Sequence, residues 1–303
     1  MKRTVLIGAD GSSRAEDAIA LAALLAPALE AEPVLLYAHP YGELESLLSK
    51  GDYGQLVCEV AETSSRQAPS HFDGVQVPRL VLVADRSPAG ALHEAAENDD
   101  VAAIIVGSSH RGAVGRVLPG GVAQRLLSGA PCPVAVAPAG FAARAPAVLG
   151  PLGVGFDGSA EASAALRTAA ALARANGASL RVIAVHQRLA FGHVPVAADR
   201  AFVSVDRQLR SDLAERLNTA VAELGMGDGA TGSLREGNPA AVLAEESGNL
   251  GLLLIGSRGY GPVGSVLVGS VASNLLTRSA CPVMVVPRGA GERSQEARAG
   301  GQP

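Results

Sequence analysis

The sequence predicts two tandem Rossmann-like, doubly wound α/β domains, each with a five-stranded parallel sheet flanked by helices. The chain repeats itself, because Gly107–Pro138 aligns without a gap with Gly256–Pro287 at an offset of 149 residues. In both copies, short apolar segments alternate with Ala- and Leu-rich segments of helical length. Hydrophobic residues make up 48% of the chain and aromatic residues 3%. The cores must therefore be built from Ala, Val, Leu and Ile, which suits buried parallel strands.

Each copy begins with an apolar strand that runs into Asp-Gly-Ser, and the Ser is expected to cap the helix that follows. The predicted elements of the first copy are strands at 4–8, 33–38, 79–84, 102–106 and 133–137, with helices at 14–29, about 43–67, 88–98 and 121–127. Those of the second copy are strands at 152–155, 179–185, about 231–235, 251–255 and 282–286, with helices at 161–175, about 201–224, 239–247 and 270–276.

The repeat also predicts the domain boundaries, at residues 1–140 and 151–288. The segment between them, residues 139–151, is rich in Ala, Gly and Pro and is predicted to be a linker. Residues 289–303 lack apolar periodicity, so we expect a disordered tail. The segments at about 41–67 and 187–224 differ most between the copies, and either a lid or partner surface or a plain covering helix fits them.

Composition argues against several classes of partner. The net charge of −4 gives no reason to expect nucleic acid or an anionic membrane. No segment approaches the ~18 consecutive apolar residues that a membrane span needs. Three cysteines, an odd number, fit a reducing compartment. We therefore expect a cytoplasmic protein with no membrane partner, in which Cys132 and Cys281 act as small buried hydrophobes.

A glycine-rich loop follows the fourth strand of the second copy. It reads Gly256-Ser257-Arg258-Gly259, then nine residues, then Gly269-Ser270 at the start of a helix. Glycine lets the backbone approach a ligand closely. Successive amides can form an anion-binding nest, and free N–H groups at a helix N-terminus favour phosphate. The loop therefore predicts an anion site.

This loop resembles the G-x2-G-x9-G-[S/T] motif of ATP-binding universal stress proteins, and the whole chain resembles the tandem-domain form of that family from about residue 2 to residue 287. The resemblance implies an ATP site, with the presence of Mg²⁺ left open. It places Gly155, Phe156 and Asp157 toward adenine and ribose, Val185 toward adenine, Gly237 near the nucleotide, and Gly256, Gly259, Gly269, Ser270 and Val271 around the ribose and phosphates. It also implies that the fifth strands, 134–137 and 283–286, meet edge to edge.

The first copy departs from this motif. The positions that match the second site are Ala9, Asp10, Ala38, Gly107, His110, Gly120, Gly121 and Val122. His110 stands where the second glycine belongs, and Gly121 replaces the hydroxyl residue, which removes one hydrogen-bond donor to phosphate. His110 offers another donor in its place. We expect a modified site that differs in affinity or is empty.

Other classes of protein fit less well. Two literal G-x-G-x-x-G matches occur, but neither precedes the acidic residue of a dinucleotide fold, and one puts Asp157 where pyrophosphate would sit. The P-loop lysine motif is absent, and no general base stands beside a nucleophile, so no catalytic residue is predicted and slow ATP hydrolysis is the most that the site would do. The open alternative is a structural or partner-interaction module that binds no nucleotide.

Several residues have a plainer interpretation beside the functional one. Asp10 and Asp157 can form Asx-turns, a role that is compatible with binding ribose. His39 and His186 match across the repeat and are predicted to be polar residues that end the second strand. Arg14 could approach phosphate or lie free on the surface. A regulatory protein partner and homodimerisation both fit the family resemblance, and the sequence identifies neither.

Overall fold

The computed structural model describes residues 3–39, 59, 72, 78–85, 87–98, 100–108, 121–188, 196–257 and 270–287. These residues form two α/β domains that share one sheet. The first contains β1 (Arg3–Ala9), α1 (Ser13–Ala28), β2 (Ala31–His39), β3 (Arg79–Ala84), α2 (Pro88–Ala96), β4 (Val101–Gly107), α3 (Gly121–Leu127) and β5 (Val134–Ala137). The second contains β6 (Leu152–Phe156), α4 (Ala160–Asn176), β7 (Leu180–His186), α5 (Val196–Glu223), β8 (Ala230–Glu236), α6 (Pro239–Glu246), β9 (Leu252–Gly256), α7 (Ser270–Leu276) and β10 (Val283–Val286).

The predicted alternation of strands and helices is confirmed, and each described element lies within a few residues of its predicted bounds. The largest difference is at α5, which begins at Val196 rather than near residue 201. The predicted helix at 43–67, apart from Glu59, and the predicted disordered tail at 289–303 lie outside the described residues. None of the described helices has an apolar stretch long enough to cross a membrane.

The ten strands form one sheet in the order β3-β2-β1-β4-β5-β10-β9-β6-β7-β8. Within each domain neighbouring strands run parallel, and the direction of the chain path reverses between β1 and β4 and between β6 and β9. The domains join through an antiparallel pair in which Val283 lies opposite Val136 and Val285 opposite Val134. The predicted edge-to-edge meeting of the fifth strands is thus confirmed. All eight residues of these two strands are buried, so the contact removes two exposed sheet edges.

Helices cover both faces of the sheet. Buried residues of α1 and α4 form one apolar cluster with one face of the strands. Buried residues of α2, α3, α6 and α7 form a second cluster on the opposite face. Each cluster contains residues of both domains, so two continuous apolar layers run through the junction. Removal of these apolar side chains from water is the main stabilising contribution that holds the two domains on one sheet.

The linker is fixed to the first domain by a buried carboxylate. Asp17 lies on α1 and is only 4% exposed. Its Oδ2 accepts a hydrogen bond from the Gly140 N–H at 2.9 Å, and its Oδ1 accepts one from the Ala142 N–H at 2.8 Å. The matching residue of the second domain is Ala164. Asp17 therefore serves to hold the linker, and this contact is not repeated in the second domain.

Cys132 and Cys281 are both buried, as predicted. Burial raises the pKa of the Cys281 thiol to about 12, although its hydrogen bond with Ser279 works against this. At pH 8 only about one thiol in ten thousand is then ionised, and the thiolate is the reactive form. We expect iodoacetamide to leave Cys281 unlabelled in the folded chain and to label it fully in urea, as measured by peptide mass spectrometry. Equal labelling rates in the two states would show that this strand opens readily.

Candidate functional site

A cavity of about 290 Å³ opens at the carboxyl ends of β6, β7 and β9. It lies where the strand order reverses, which is where open α/β sheets bind their ligands. Its volume is close to the lower end of the range for small-molecule sites, about 300–1,000 Å³. Its walls are mostly apolar, with a few polar groups, and the lining residues are Gly155, Phe156, Asp157, Ser159, Glu161, Ala162, Ile183, Val185, Gln187, Pro239, Leu243, Ile255, Gly256, Val271 and Ala272.

Most of the described residues that the sequence predicted for this site do line the cavity. They come from four separate segments and are Gly155, Phe156, Asp157, Val185, Gly256 and Val271. Gly237 is not among the lining residues. It adopts a φ of +136°, which favours glycine, and it donates a backbone hydrogen bond to the His186 carbonyl at 3.1 Å. Gly259 and Gly269 lie outside the described residues. Ser270 begins α7, but its side chain is not among the described parts of the chain.

Asp157 is held by the turn between β6 and α4. Its Oδ1 accepts a hydrogen bond from the Ser159 N–H at 3.0 Å, and the Ser159 hydroxyl caps α4 by accepting one from the Ala162 N–H at 3.1 Å. The predicted Asx-turn and serine cap are therefore confirmed in this domain. In the first domain Ser12 occupies the cap position, but its side chain makes no cap hydrogen bond. The Ser12 hydroxyl instead donates to Asp10, so the predicted capping bond is wrong here, whereas the predicted Asx-turn is confirmed by the Ser12 N–H, which donates to Asp10 Oδ1 at 3.1 Å.

Gly256 has a structural role that the sequence analysis did not anticipate. A Cβ at this position would lie 2.7 Å from the Glu161 carbonyl oxygen and 2.8 Å from the Ala162 nitrogen. Gly107 is placed in the same way against the backbone of Arg14. Both glycines thus allow the first helix of their domain to approach the fourth strand closely. The same approach brings the N-terminus of that helix to the edge of the cavity.

The helix that begins with proline contributes a wall that the sequence analysis missed. Pro239 and Leu243 of α6 line the cavity one turn apart, and Asn238 caps the helix by accepting a hydrogen bond from the Ala241 N–H at 3.1 Å. Pro88 and Leu92 take the equivalent positions in the first domain. The recurrence of Pro and Leu at i, i+4 in both copies was the available signal.

Polar and charged side chains connect α5 to the ends of β7 and β8. His186, which ends β7 and is 5% exposed, has its Nε2 3.0 Å from Asp206 Oδ1 of α5. Glu236, which ends β8, accepts hydrogen bonds from Arg188 at 2.7 Å and from Arg210 of α5 at 3.0 Å. The hydrogen bond and charge of Arg188 lower the pKa of Glu236, and Arg210 acts in the same direction. The predicted position of His186 at the strand end is confirmed, and its partner shows that it anchors a helix.

The first domain has a smaller cavity, of about 130 Å³, at the equivalent place. Five predicted residues line it, namely Ala9, Asp10, Ala38, Gly107 and Val122, together with Gly8, Arg14, Ala15, Leu36, Tyr37, Pro88, Leu92 and Val106. Gly121 begins α3 and is not among the lining residues. His110 and Gly120 lie outside the described residues. In the part of the chain that the structure describes, no three His, Cys, Asp or Glu residues are grouped to hold a metal ion.

Comparisons with known proteins point to one family. Its sequence model, described as the universal stress protein family, matches residues 1–138 and 150–287. A universal stress protein of Mycobacterium tuberculosis is 32% identical over 192 residues, which cover 60% of this chain and 60% of that protein. A relative from Mycolicibacterium smegmatis, also called a universal stress protein, is 28% identical over 295 residues and is covered to 96%. The solved structure of a universal stress protein from Archaeoglobus fulgidus has a TM-score of 0.67 at 21% identity, covering 95% of this chain and 100% of that one, and it shares the fold.

Proposed function

The chain belongs to the universal stress protein family, in tandem form, and from this premise we propose that its second domain binds an adenine nucleotide, ATP, in the cavity at the ends of β6, β7 and β9. The two domains that we propose, residues 1–140 and 151–288, each carry one version of the site. The observation that supports the proposal best is convergence. Gly155 and Asp157, Val185, Gly256 and Val271 come from four segments that are far apart in sequence, yet all of them line one cavity.

The chemistry of the cavity suits this ligand. Ile183, Leu243 and Ile255 provide an apolar wall for the flat face of a purine. Asp157 follows β6 at the rim and is exposed, so its carboxylate can accept a hydrogen bond from a ribose hydroxyl. In this arrangement the backbone of Val185 forms hydrogen bonds with adenine.

The phosphates extend toward the loop that carries Gly259 and Gly269, by the motif described above. Val271 and Ala272, just after Ser270, line the cavity, so the first turn of α7 lies at its edge. Phosphates bound there would bring Mg²⁺ as their accompanying ion. No residue of this site is assigned as a general base, and the proposed role is binding rather than hydrolysis.

Binding of this kind would make the protein a nucleotide-dependent regulatory module of the stress response. The Gly-rich loop at 258–269 contacts the phosphates in the proposed complex, so ATP would alter the surface that this loop presents to a partner protein. Location in the cytoplasm fits the odd number of cysteines in the chain, because thiols persist in a reducing compartment.

The proposal predicts that Gly269→Glu combined with Ser270→Ala abolishes ATP binding in the second domain. The new carboxylate would repel the phosphates, and the lost hydroxyl would remove a donor to them. Isothermal titration of the full chain with ATP measures the effect, and circular dichroism checks that the variant is folded. The matched variant in the first domain, Gly120→Glu with Gly121→Ala, should leave ATP binding in the second domain intact.

Nucleotide released from the purified chain by denaturation provides an independent measurement. We expect chromatography to detect ATP, ADP or AMP in that sample. If the wild-type chain releases no nucleotide and gives no heat with ATP, the interaction module without nucleotide becomes the better explanation. If the double variant binds ATP as tightly as the wild type, the site is elsewhere.

A further inference from the structure

We propose that Arg14 prevents the first-domain cavity from selecting nucleotides by their ribose hydroxyls, whereas Glu161, at the same position of the second domain, leaves the second-domain cavity able to do so. This inference rests on the proposed nucleotide function and concerns which of the two sites recognises the ribose hydroxyls. The two residues occupy equivalent places, because each lies four residues after the aspartate that follows the first strand. Each also lines the cavity of its own domain.

In the first domain, Arg14 closes a hydrogen-bonded cluster around Asp10. The Arg14 Nη2 donates to Asp10 Oδ2 at 2.6 Å, and the Arg14 Nε donates to the Ser12 hydroxyl at 3.2 Å. The Ser12 N–H donates to Asp10 Oδ1 at 3.1 Å, and the Ser12 hydroxyl donates to the same oxygen. Both carboxylate oxygens of Asp10 are thus engaged by groups of the same turn.

In the second domain, the corresponding cluster does not form. Glu161 has no N–H or O–H to offer when ionised, and its charge has the same sign as that of Asp157. The Ser159 hydroxyl caps α4 instead of reaching the aspartate. Asp157 accepts through Oδ1 from the Ser159 N–H, and its Oδ2 makes no hydrogen bond to the residues that the structure describes.

The difference decides what each aspartate can do for a ligand. A neutral hydroxyl can bind Asp157 Oδ2 without displacing a protein group. A hydroxyl that approaches Asp10 meets a carboxylate whose charge is already shared with the Arg14 guanidinium and whose two oxygens already accept hydrogen bonds, so it gains less there than at Asp157. The first-domain cavity is also smaller, about 130 Å³ against about 290 Å³. The hydroxyls of ribose are therefore recognised in the second domain.

A reciprocal exchange of the two residues tests this inference in the full chain. Isothermal titration with ATP, 2′-deoxy-ATP and 3′-deoxy-ATP measures affinity and stoichiometry. For the wild type we expect one tight site per chain that prefers ATP over at least one deoxy analogue by about tenfold or more, the effect of one hydrogen bond to a charged acceptor. Glu161→Arg should lose that preference, and Arg14→Glu should add a second site that shows it.

Glu161→Gln is the matched control, because it removes the charge but supplies no guanidinium, and it should keep the preference for ATP. Circular dichroism confirms that each variant is folded. An unchanged preference in Glu161→Arg would overturn the inference. Weaker total binding in Arg14→Glu would also overturn it and would make Arg14 a phosphate ligand.

The two proposals fail in different ways. If the wild type binds none of the three nucleotides, the proposed function is wrong, and the sugar selectivity falls with it. If the wild type binds ATP and both deoxy analogues equally, nucleotide binding stands, and only the selectivity is wrong.

Discussion

Gly107→Ala is expected to destabilise the chain by about 3 kcal/mol, the upper part of the range for overpacking a tight contact. The new Cβ would lie 2.8 Å from the Arg14 carbonyl carbon and 2.9 Å from the Arg14 Cβ. Two of the atoms it meets belong to the backbone of α1, so no side-chain rotation relieves the clash. The helix has to move away from β4, and buried residues such as Ala15 and Ala18 lose their packing with it.

Urea unfolding followed by circular dichroism at 222 nm measures this effect, since the chain contains no tryptophan. Gly121→Ala is the control within the same domain. A Cβ there meets none of the described residues within 4 Å, and alanine favours a helix over glycine by about 1 kcal/mol, so this variant should be neutral or stabilised. Gly256→Ala should repeat the loss in the second domain. A Gly107→Ala chain as stable as the wild type would show that α1 can shift without cost.

Asp17→Ala is expected to cost about 3 kcal/mol of unfolding free energy. It removes both acceptors from the N–H groups of Gly140 and Ala142, and hydrogen bonds to a charged group each contribute about 1.5–3 kcal/mol. A small gain in helix propensity from alanine offsets part of the loss. The same urea titration measures it, and limited proteolysis should cut the linker sooner in the variant.

Asp17→Asn separates the two hydrogen bonds. Asparagine keeps one carbonyl acceptor and presents an amide N–H₂ to the other linker N–H, so its effect should lie between those of the wild type and Asp17→Ala. If both variants lose less than about 0.5 kcal/mol, the linker is held by Phe141 and Leu149 in the apolar layer rather than by Asp17.

The two stability predictions show why a motif residue can have more than one reason to be glycine. The sequence analysis assigned Gly107 and Gly256 to close approach of a ligand. Their backbones do line the cavities, but the atoms nearest to a Cβ belong to the first helix of the same domain, α1 or α4. Spacing along the chain cannot distinguish these reasons, because the helix that comes closest lies more than ninety residues away in sequence.

The sequence by itself determined the duplication, the order of strands and helices, and eleven of the residues that line the two cavities. These features depend on local composition and on periodicity, which are properties of short segments. The repeat also located the change from Ser270 to Gly121 without any coordinates.

Only the tertiary structure showed how the aspartates of the two copies differ in their hydrogen bonds. Asp10 and Asp157 are each followed by Gly-Ser. Asp10 nevertheless accepts hydrogen bonds through both carboxylate oxygens, whereas Asp157 accepts through one. The cause is a side chain four residues away whose guanidinium folds back on the turn, and rotamers of long side chains are set by their surroundings. The Gly-rich loop defines the motif, whereas the residue four positions after the aspartate, Arg14 or Glu161, distinguishes the hydrogen bonding of the two aspartates.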